Sequence, residues 1–239
     1  RVNHFLFKDY EDDTDDREKF MKFYKRVDEY LGNLREMLPD DVTMVVASDH
    51  GFTGLDHEVH YNAWLRENGW LSFQDDEHDS LADIAEDSRA YAFIPGRFYI
   101  NLEGREPRGS VAEEDYEAVR DELKADLEAM EGPDGSKVAD RVVTKEDAYR
   151  GSHDDIAPDL TVVPNHGYDL KAGFKDGGEV FTTGPRNGMH SFDNACLFVD
   201  DADATVGDAD LLDIAPTLLE LMDLEYDRTA FDGSSLVRS

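Results

Sequence analysis

The stretch Thr43-Met44-Val45-Val46-Ala47-Ser48-Asp49-His50-Gly51-Phe52 constrains the fold more than any other part of the chain. Its first half is a short apolar, β-branched run, the pattern of a strand buried in a sheet covered on both faces. Its second half sets a carboxylate beside an imidazole and follows them with glycine. Neighbouring side chains of a continuing strand point to opposite faces, so Asp49 and His50 share a ligand only if the strand ends there. Gly51 lets the chain turn, because glycine reaches backbone angles closed to other residues. The two side chains then meet at the carboxyl end of the strand, where open α/β sheets place their ligands. A hard oxygen donor next to an imidazole suits zinc or a similar divalent ion. A plain Asp–His pair closing a strand end is the alternative.

The 239 residues suffice for one large α/β domain, or one domain with a smaller insert. Charge is the extreme property: 24 Lys and Arg against 56 Asp and Glu leave a formal net charge of −32. Such a charge accompanies disorder when aromatics and β-branched residues are scarce, but aromatics here make up 10% of the chain. The acids are also dispersed instead of forming one tail, as in Glu11-Asp12-Asp13 and Glu113-Glu114-Asp115. Self-repulsion of this size is relieved by salt, so the composition points to a salt-loving source with a carboxylate surface. Nucleic-acid polymers and anionic membranes are excluded as partners on the same ground. A cytoplasmic location is expected. The single cysteine, Cys196, lies in the apolar run Ala195–Val199 and reads as a small buried hydrophobe. No segment has the roughly 18 to 20 apolar residues that span a bilayer. No signal peptide is visible, and the start at Arg1 instead of methionine leads to the expectation of preceding sequence.

Along the chain, residues 1–7 carry no helix-start signal. Phe20, Phe23, Tyr24, Val27, Tyr30, Leu31, Leu34 and Leu38 then recur at three- and four-residue steps and define one helix with a buried stripe. Pro39-Asp40-Asp41 stops it before the strand at Thr43. After Phe52 the chain reads as a histidine-rich loop with His57 and His60, followed by a short helix from Tyr61 closed by Gly69. Residues 74–89 read as an exposed acidic excursion, 98–102 as a strand, and Tyr116–Met130 as a second amphipathic helix. Short strands are predicted at 140–143 and 160–163, then a glycine-rich loop over 167–188 leading to His190. A final helix runs from Asp213, its predicted N-cap, to Met222. These patterns divide the chain into a main domain, 1–75 with 155–239, and an inserted subdomain, 76–154.

Three separated regions carry candidate ligands: His4, the Asp49-His50 pair, and His190 within Gly188-Met189-His190-Ser191. Each has a bland reading, a lone histidine at the surface or in packing, and spacing alone does not join them. Arg105 could reach a phosphate with its forked donors, although Glu103 and Glu106 beside it favour a surface ion pair. His153 and His166 flank a predicted strand and are candidates for a substrate cleft.

Taken together, these motifs resemble the alkaline phosphatase superfamily, in its type I phosphodiesterase/nucleotide pyrophosphatase branch. The resemblance is carried by Ser48-Asp49-His50-Gly51-Phe52 and Gly188-Met189-His190, with Ile100-Asn101-Leu102-Glu103-Gly104-Arg105-Glu106-Pro107, Ala157-Pro158-Asp159-Leu160 and Asp213-Ile214-Ala215-Pro216-Thr217 in support. It implies a layered α/β/α sheet of the alkaline phosphatase type, truncated at the N-terminus and holding a smaller inserted α+β subdomain. It also implies a small-molecule phosphoester substrate, self-association through the open edge that a truncated sheet leaves, and two divalent ions, zinc first and manganese or magnesium as alternatives. Asp49 and His50 would bind one ion, His4 and His190 the other. The family pattern Asp-x-x-x-His, with His4 as its histidine, would put an aspartate just before Arg1. The family's Thr or Ser nucleophile and a further metal-binding Asp belong to an N-terminal half that this sequence does not show. No nucleophile is therefore assigned, and the chain by itself is expected to be inactive as a phosphoester hydrolase. A non-catalytic metal-binding or interaction domain is the reading from another class. Phosphomonoesterase, sulfatase and phosphomutase are alternatives within the superfamily.

Overall fold

Aromatic packing, not capping, opens the fold. In the computed structural model, which describes residues 1–151, 153–175, 178–200 and 207–237, the chain begins directly with a helix. In chain order the elements are α1 (Val2–Glu11), α2 (Arg17–Met37), β1 (Met44–Ala47), β2 (Gly51–His60), α3 (Tyr61–Glu67), β3 (Ala90–Phe93), β4 (Arg97–Ile100) and α4 (Tyr116–Ala129). They continue with β5 (Ala139–Thr144), α5 (Lys145–Ala148), β6 (Leu160–Pro164), β7 (Gly167–Lys171), β8 (Phe181–Thr182), β9 (Gly188–Ser191), β10 (Leu197–Asp200) and α6 (Ile214–Leu221). The fold is mixed α/β. Packing separates two units, Arg1–Thr53 with His190–Ser239, and Gly54–Met189.

The first unit contains α1, α2, β1, β10 and α6. Helix α1 lacks a capping side chain at Arg1, and no periodic signal announces it. It is held by tertiary contact: Phe7 and Tyr10 lie 5.9 and 4.8 Å, ring to ring, from Phe20 on α2. Packing of this kind decides short helices more than propensity does. The stripe predicted on α2 is only partly covered. Phe20 is buried and Val27, Leu31 and Leu38 are half-buried, but Phe23, Tyr24, Tyr30 and Leu34 are exposed. The apolar arc is wide enough for two neighbours, and the ten-residue α1 meets only the first turns.

Strand β1 was read as buried on both faces. It is half-buried along Met44–Val46 and exposed at Ala47, because β10 is its one partner among the described strands. The pair is antiparallel, running from Met44↔Asp200 to Ala47↔Leu197. Cys196, read as a buried hydrophobe, is exposed, since it precedes β10 and exchanges hydrogen bonds with Ser48 at the end of the ladder. Asp213 stands at the N-cap position of α6 as read, but its side chain makes no capping bond to that helix and instead accepts the N–H groups of Asp210 and Ser234. Asp210 caps the 3-10 turn before α6, accepting the Leu212 N–H at 3.0 Å.

The second unit holds the core. Among the described residues, every buried hydrophobic side chain except Phe20 lies in it. An antiparallel sheet in the order β3-β4-β6-β5 is covered by α4, whose Val119, Leu123 and Leu127 point inward as their spacing predicts. The predicted strand 160–163 is β6, with Leu160 and Val162 fully buried. Helix α3 ends as read, at Gly69 with φ +74°. The segment 74–89 is less exposed than its acidity indicates: Phe73 bridges Ile84, and Ile84 and Ser88 are buried. The predicted histidine loop after Phe52 is a strand instead. β2 pairs parallel with β7 and antiparallel with β8, and β9 also pairs with it. His57 on β2 packs near Tyr168 and Phe181, while His60 Nε2 bonds Thr182 Oγ1 at 2.8 Å. The segment 76–154 lies wholly inside this unit. No helix among the described residues is long and apolar enough to cross a membrane.

One buried carboxylate ties this core together. Asp159, fully buried, accepts from the Ile100 N–H at 2.7 Å, the Tyr116 hydroxyl at 2.7 Å and both terminal nitrogens of Arg105 at 2.8 and 2.6 Å. Burial first, and then the Asp159 carboxylate, push the Tyr116 phenol above its ordinary range. Removing Arg105 would leave that carboxylate without its counter-charge, a loss worth about 3–5 kcal/mol for buried pairs. Arg105→Met should lower unfolding free energy in denaturant titrations by about that amount; a change under about 1 kcal/mol would show that the pair is not a keystone. A second prediction concerns the start of β2. A Cβ on Gly51 would stand 1.7 Å from the Asp193 carbonyl oxygen and 2.5 Å from Ser191 Oγ. Gly51→Ala should therefore cost about 1–3 kcal/mol by thermal unfolding, the range for overpacking.

Candidate metal centre

The site is built from the ends of three segments in the first unit. Strand β1 stops at Ala47, and Ser48–His50 leave the ladder before β2 begins at Gly51. The bend brings neighbouring side chains to one side: Asp49 Oδ1 lies 3.5 Å from His50 Nε2. His50 Nδ1 lies 2.9 Å from the Gly51 carbonyl oxygen, so this nitrogen carries the hydrogen and Nε2 is turned toward the carboxylate. His190 arrives on β9 and stacks on His50, ring centroids 4.1 Å apart and planes inclined by 26°. His4, on the first turn of α1, completes the group at 5.0 Å from His190. Phe52 walls it, 5.1 Å from His4 and 5.5 Å from His190. Residues far apart in sequence are thus neighbours.

The donor chemistry fits divalent cations. Two atoms each bound at about 2.1 Å to one tetrahedral ion stand about 3.4 Å apart, and the Asp49–His50 separation is 3.5 Å. An imidazole binds through a lone pair in its own plane. The stacked rings of His50 and His190 offer theirs in two separate, nearly parallel planes, so they do not suit a single ion. His50 Nε2 faces the Asp49 carboxylate, while the His190 ring lies between those of His50 and His4, at 4.1 and 5.0 Å. These four side chains are only part of a ligand set. Among the described residues, no group of three His, Cys, Asp or Glu side chains is placed to hold an ion. Asp49 is open to solvent, its side chain 80% exposed.

The remaining sequence candidates stand elsewhere. Arg105 is occupied by Asp159, by Glu106 at 2.8 Å and by the Ile100 carbonyl at 2.6 Å, which leaves little of its fork for a phosphate. Its partner is 54 residues away, so the adjacent acids did not reveal it. His153 is exposed at the start of a 3-10 turn, and His166 is exposed between β6 and β7. All three belong to the second unit, whereas His4, Asp49, His50 and His190 belong to the first. Sequence reading passed over Ser191 and Asn194, which bond to the segments carrying the candidate ligands. Their one visible signal is their position just after His190.

Comparison with known proteins bears on the whole of this arrangement. The family model for type I phosphodiesterase / nucleotide pyrophosphatase matches residues 2–193, a span that contains all four candidate ligands. No curated protein and no solved structure matches the chain. The family match covers most of the sequence, and the chain belongs to the type I phosphodiesterase/nucleotide pyrophosphatase family.

Proposed function

We propose that the chain supplies the histidine-bearing part of the two-ion centre of a phosphoester hydrolase of the phosphodiesterase/nucleotide pyrophosphatase type. The observation that carries this reading is the convergence of His4, Asp49, His50 and His190 in one unit, with the two rings from β9 and the β1 end stacked at 4.1 Å. Asp49 and His50 hold one ion, and His4 and His190 hold the other. Mixed carboxylate and imidazole donors favour zinc, with manganese or magnesium as the alternatives. A pair of such ions, when bound, stabilises charge on a phosphoryl group and lowers the pKa of the attacking group.

The chain's own residues do the holding. The Gly51 carbonyl fixes the His50 tautomer so that Nε2 faces the site. Phe52 packs beside His4 and His190 and shields one side of the group. The hydroxyls adjacent in sequence are engaged otherwise: Ser48 Oγ accepts the Cys196 N–H, and Ser191 Oγ shares its hydrogen between Asp193 O and Asn194 Oδ1. Neither is set as a nucleophile. In keeping with the resemblance, we place the nucleophile and the remaining ligands on polypeptide outside this chain, with the chain inactive by itself. The charge of −32 supports a salt-rich setting, because self-repulsion is screened there.

Zinc titration in molar salt tests the ligand assignment. Two ions should bind, and His50→Ala and His190→Ala should each remove one, while Arg105→Met leaves both. Joined to the completing polypeptide, the site should hydrolyse a chromogenic phosphodiester. Asp49→Ala should then lower kcat by more than about 100-fold, beyond what loss of an outer-shell partner costs. Zinc retained in full by both histidine variants would refute the assignment.

A further inference from the structure

The two candidate half-sites are held together by a clamp that takes no part in ligation. Asn194 follows β9 in the left-handed region, φ +53°, a conformation that asparagine tolerates better than most side chains. From there its carboxamide pairs with both backbone polar groups of Phe52. The Phe52 N–H donates to Asn194 Oδ1 at 2.9 Å, and Asn194 Nδ2 donates to the Phe52 carbonyl at 3.1 Å. Ser191 Oγ lies 2.9 Å from the same Oδ1 and shares its single hydrogen between it and the Asp193 carbonyl at 3.0 Å, so the oxygen faces donors and the nitrogen an acceptor. Only this orientation of the amide satisfies every partner. Gly51 completes the fit: a Cβ there would lie 1.8 Å from Asn194 Oδ1 and 1.7 Å from Asp193 O, so the backbone beside His50 rests directly on the clamp.

The consequence is positional. Gly51 and Phe52 follow Asp49-His50, while Ser191 and Asn194 follow His190. Backbone segments that carry ligands of different ions are thereby cross-linked immediately beyond those ligands. The Phe52 ring, carried on that backbone, packs beside His4 and His190. We propose that Asn194, oriented by Ser191, is the positioning residue that sets the separation of the two half-sites, an inference that rests on the two-ion reading above.

The discriminating variant is Asn194→Gly. Glycine keeps the left-handed backbone at no steric cost and removes only the carboxamide, so a role limited to backbone shape would survive it. With selectively labelled histidine in the metal-free chain, the wild type should show cross-relaxation between the His50 and His190 ring protons. In Asn194→Gly those cross-peaks should disappear while the His57–Tyr168 contact in the other unit persists. Cobalt titration followed by visible absorption should then show affinity lowered by about 10–100-fold, the range for lost outer-shell support. Should Asn194→Gly fail to fold, Ser191→Ala carries the same readout, because it removes only the hydroxyl that orients the amide. Persistence of the His50–His190 cross-peaks in the variant would overturn the inference. Cross-peaks lost in the variant, with cobalt bound by neither protein, would uphold the clamp and overturn the metal reading alone.

Discussion

Nothing larger than hydrogen fits on the α-carbon of residue 51. A methyl group there would penetrate the Asp193 carbonyl oxygen and the Asn194 amide. That contact distance makes the rest of the site arithmetic. A backbone admitted this close to the turn after β9 brings His50 against His190, and the hydrogen bonds of Asn194 to Phe52 keep it there. The glycine was read as a hinge that frees the chain to turn. The structure gives it a different task, since its φ is not in the left-handed region and its value lies in the missing side chain.

The two units differ in what stabilises them. The second buries Trp70, Tyr61, Phe98, Leu123 and Leu160 around a sheet with a satisfied carboxylate at its centre. At about 25 cal/mol per Å² of apolar surface, such side chains contribute about 1.5–3 kcal/mol each. The first unit relies on aromatic contacts around Phe20, the β1–β10 ladder and the Arg35–Asp200 ion pair that joins α2 to β10. The candidate ligands therefore sit in the unit with the thinner core. Local hydrogen bonds, such as those made by Asn194, carry more of the burden of placing side chains where packing supplies less.

What the sequence revealed follows from periodicity and chemistry, and what it hid follows from distance. Helices α2 and α4 and strand β6 were legible because their apolar residues repeat at the helical or strand period. Helix α1 was hidden because its warrant, Phe7 and Tyr10 on Phe20, is tertiary. Strand β2 resembled a loop because Asp56, His57, Glu58 and His60 are polar, yet that polarity is paired: Arg186 bonds Glu58 and Asp169, and His60 meets Thr182. The ligand candidates were visible through the resemblance of short motifs, not through spacing. Arg105 attracted a functional reading because a forked cation suggests phosphate, and only the long-range pair with Asp159 shows its occupation. Asn194 left no periodic trace at all.

The charge of the chain bears on its proposed chemistry in two opposed ways. A chain with 56 carboxylates against 24 basic side chains, most of them exposed, concentrates divalent cations and repels a phosphodiester anion. At about 0.1 M salt the screening length is about 10 Å, so a substrate nearing the site feels many of those carboxylates at once; at about 1 M it is about 3 Å, and only immediate neighbours count. Around the proposed centre those neighbours include three imidazoles, one carboxylate and an aromatic wall, and any ions held there would be the decisive charge. High salt thus leaves the short-range attraction of a loaded centre intact while removing the long-range repulsion around it. On this reading the acidic surface and the histidine group are compatible only under strong screening, and the composition and the site describe one and the same environment.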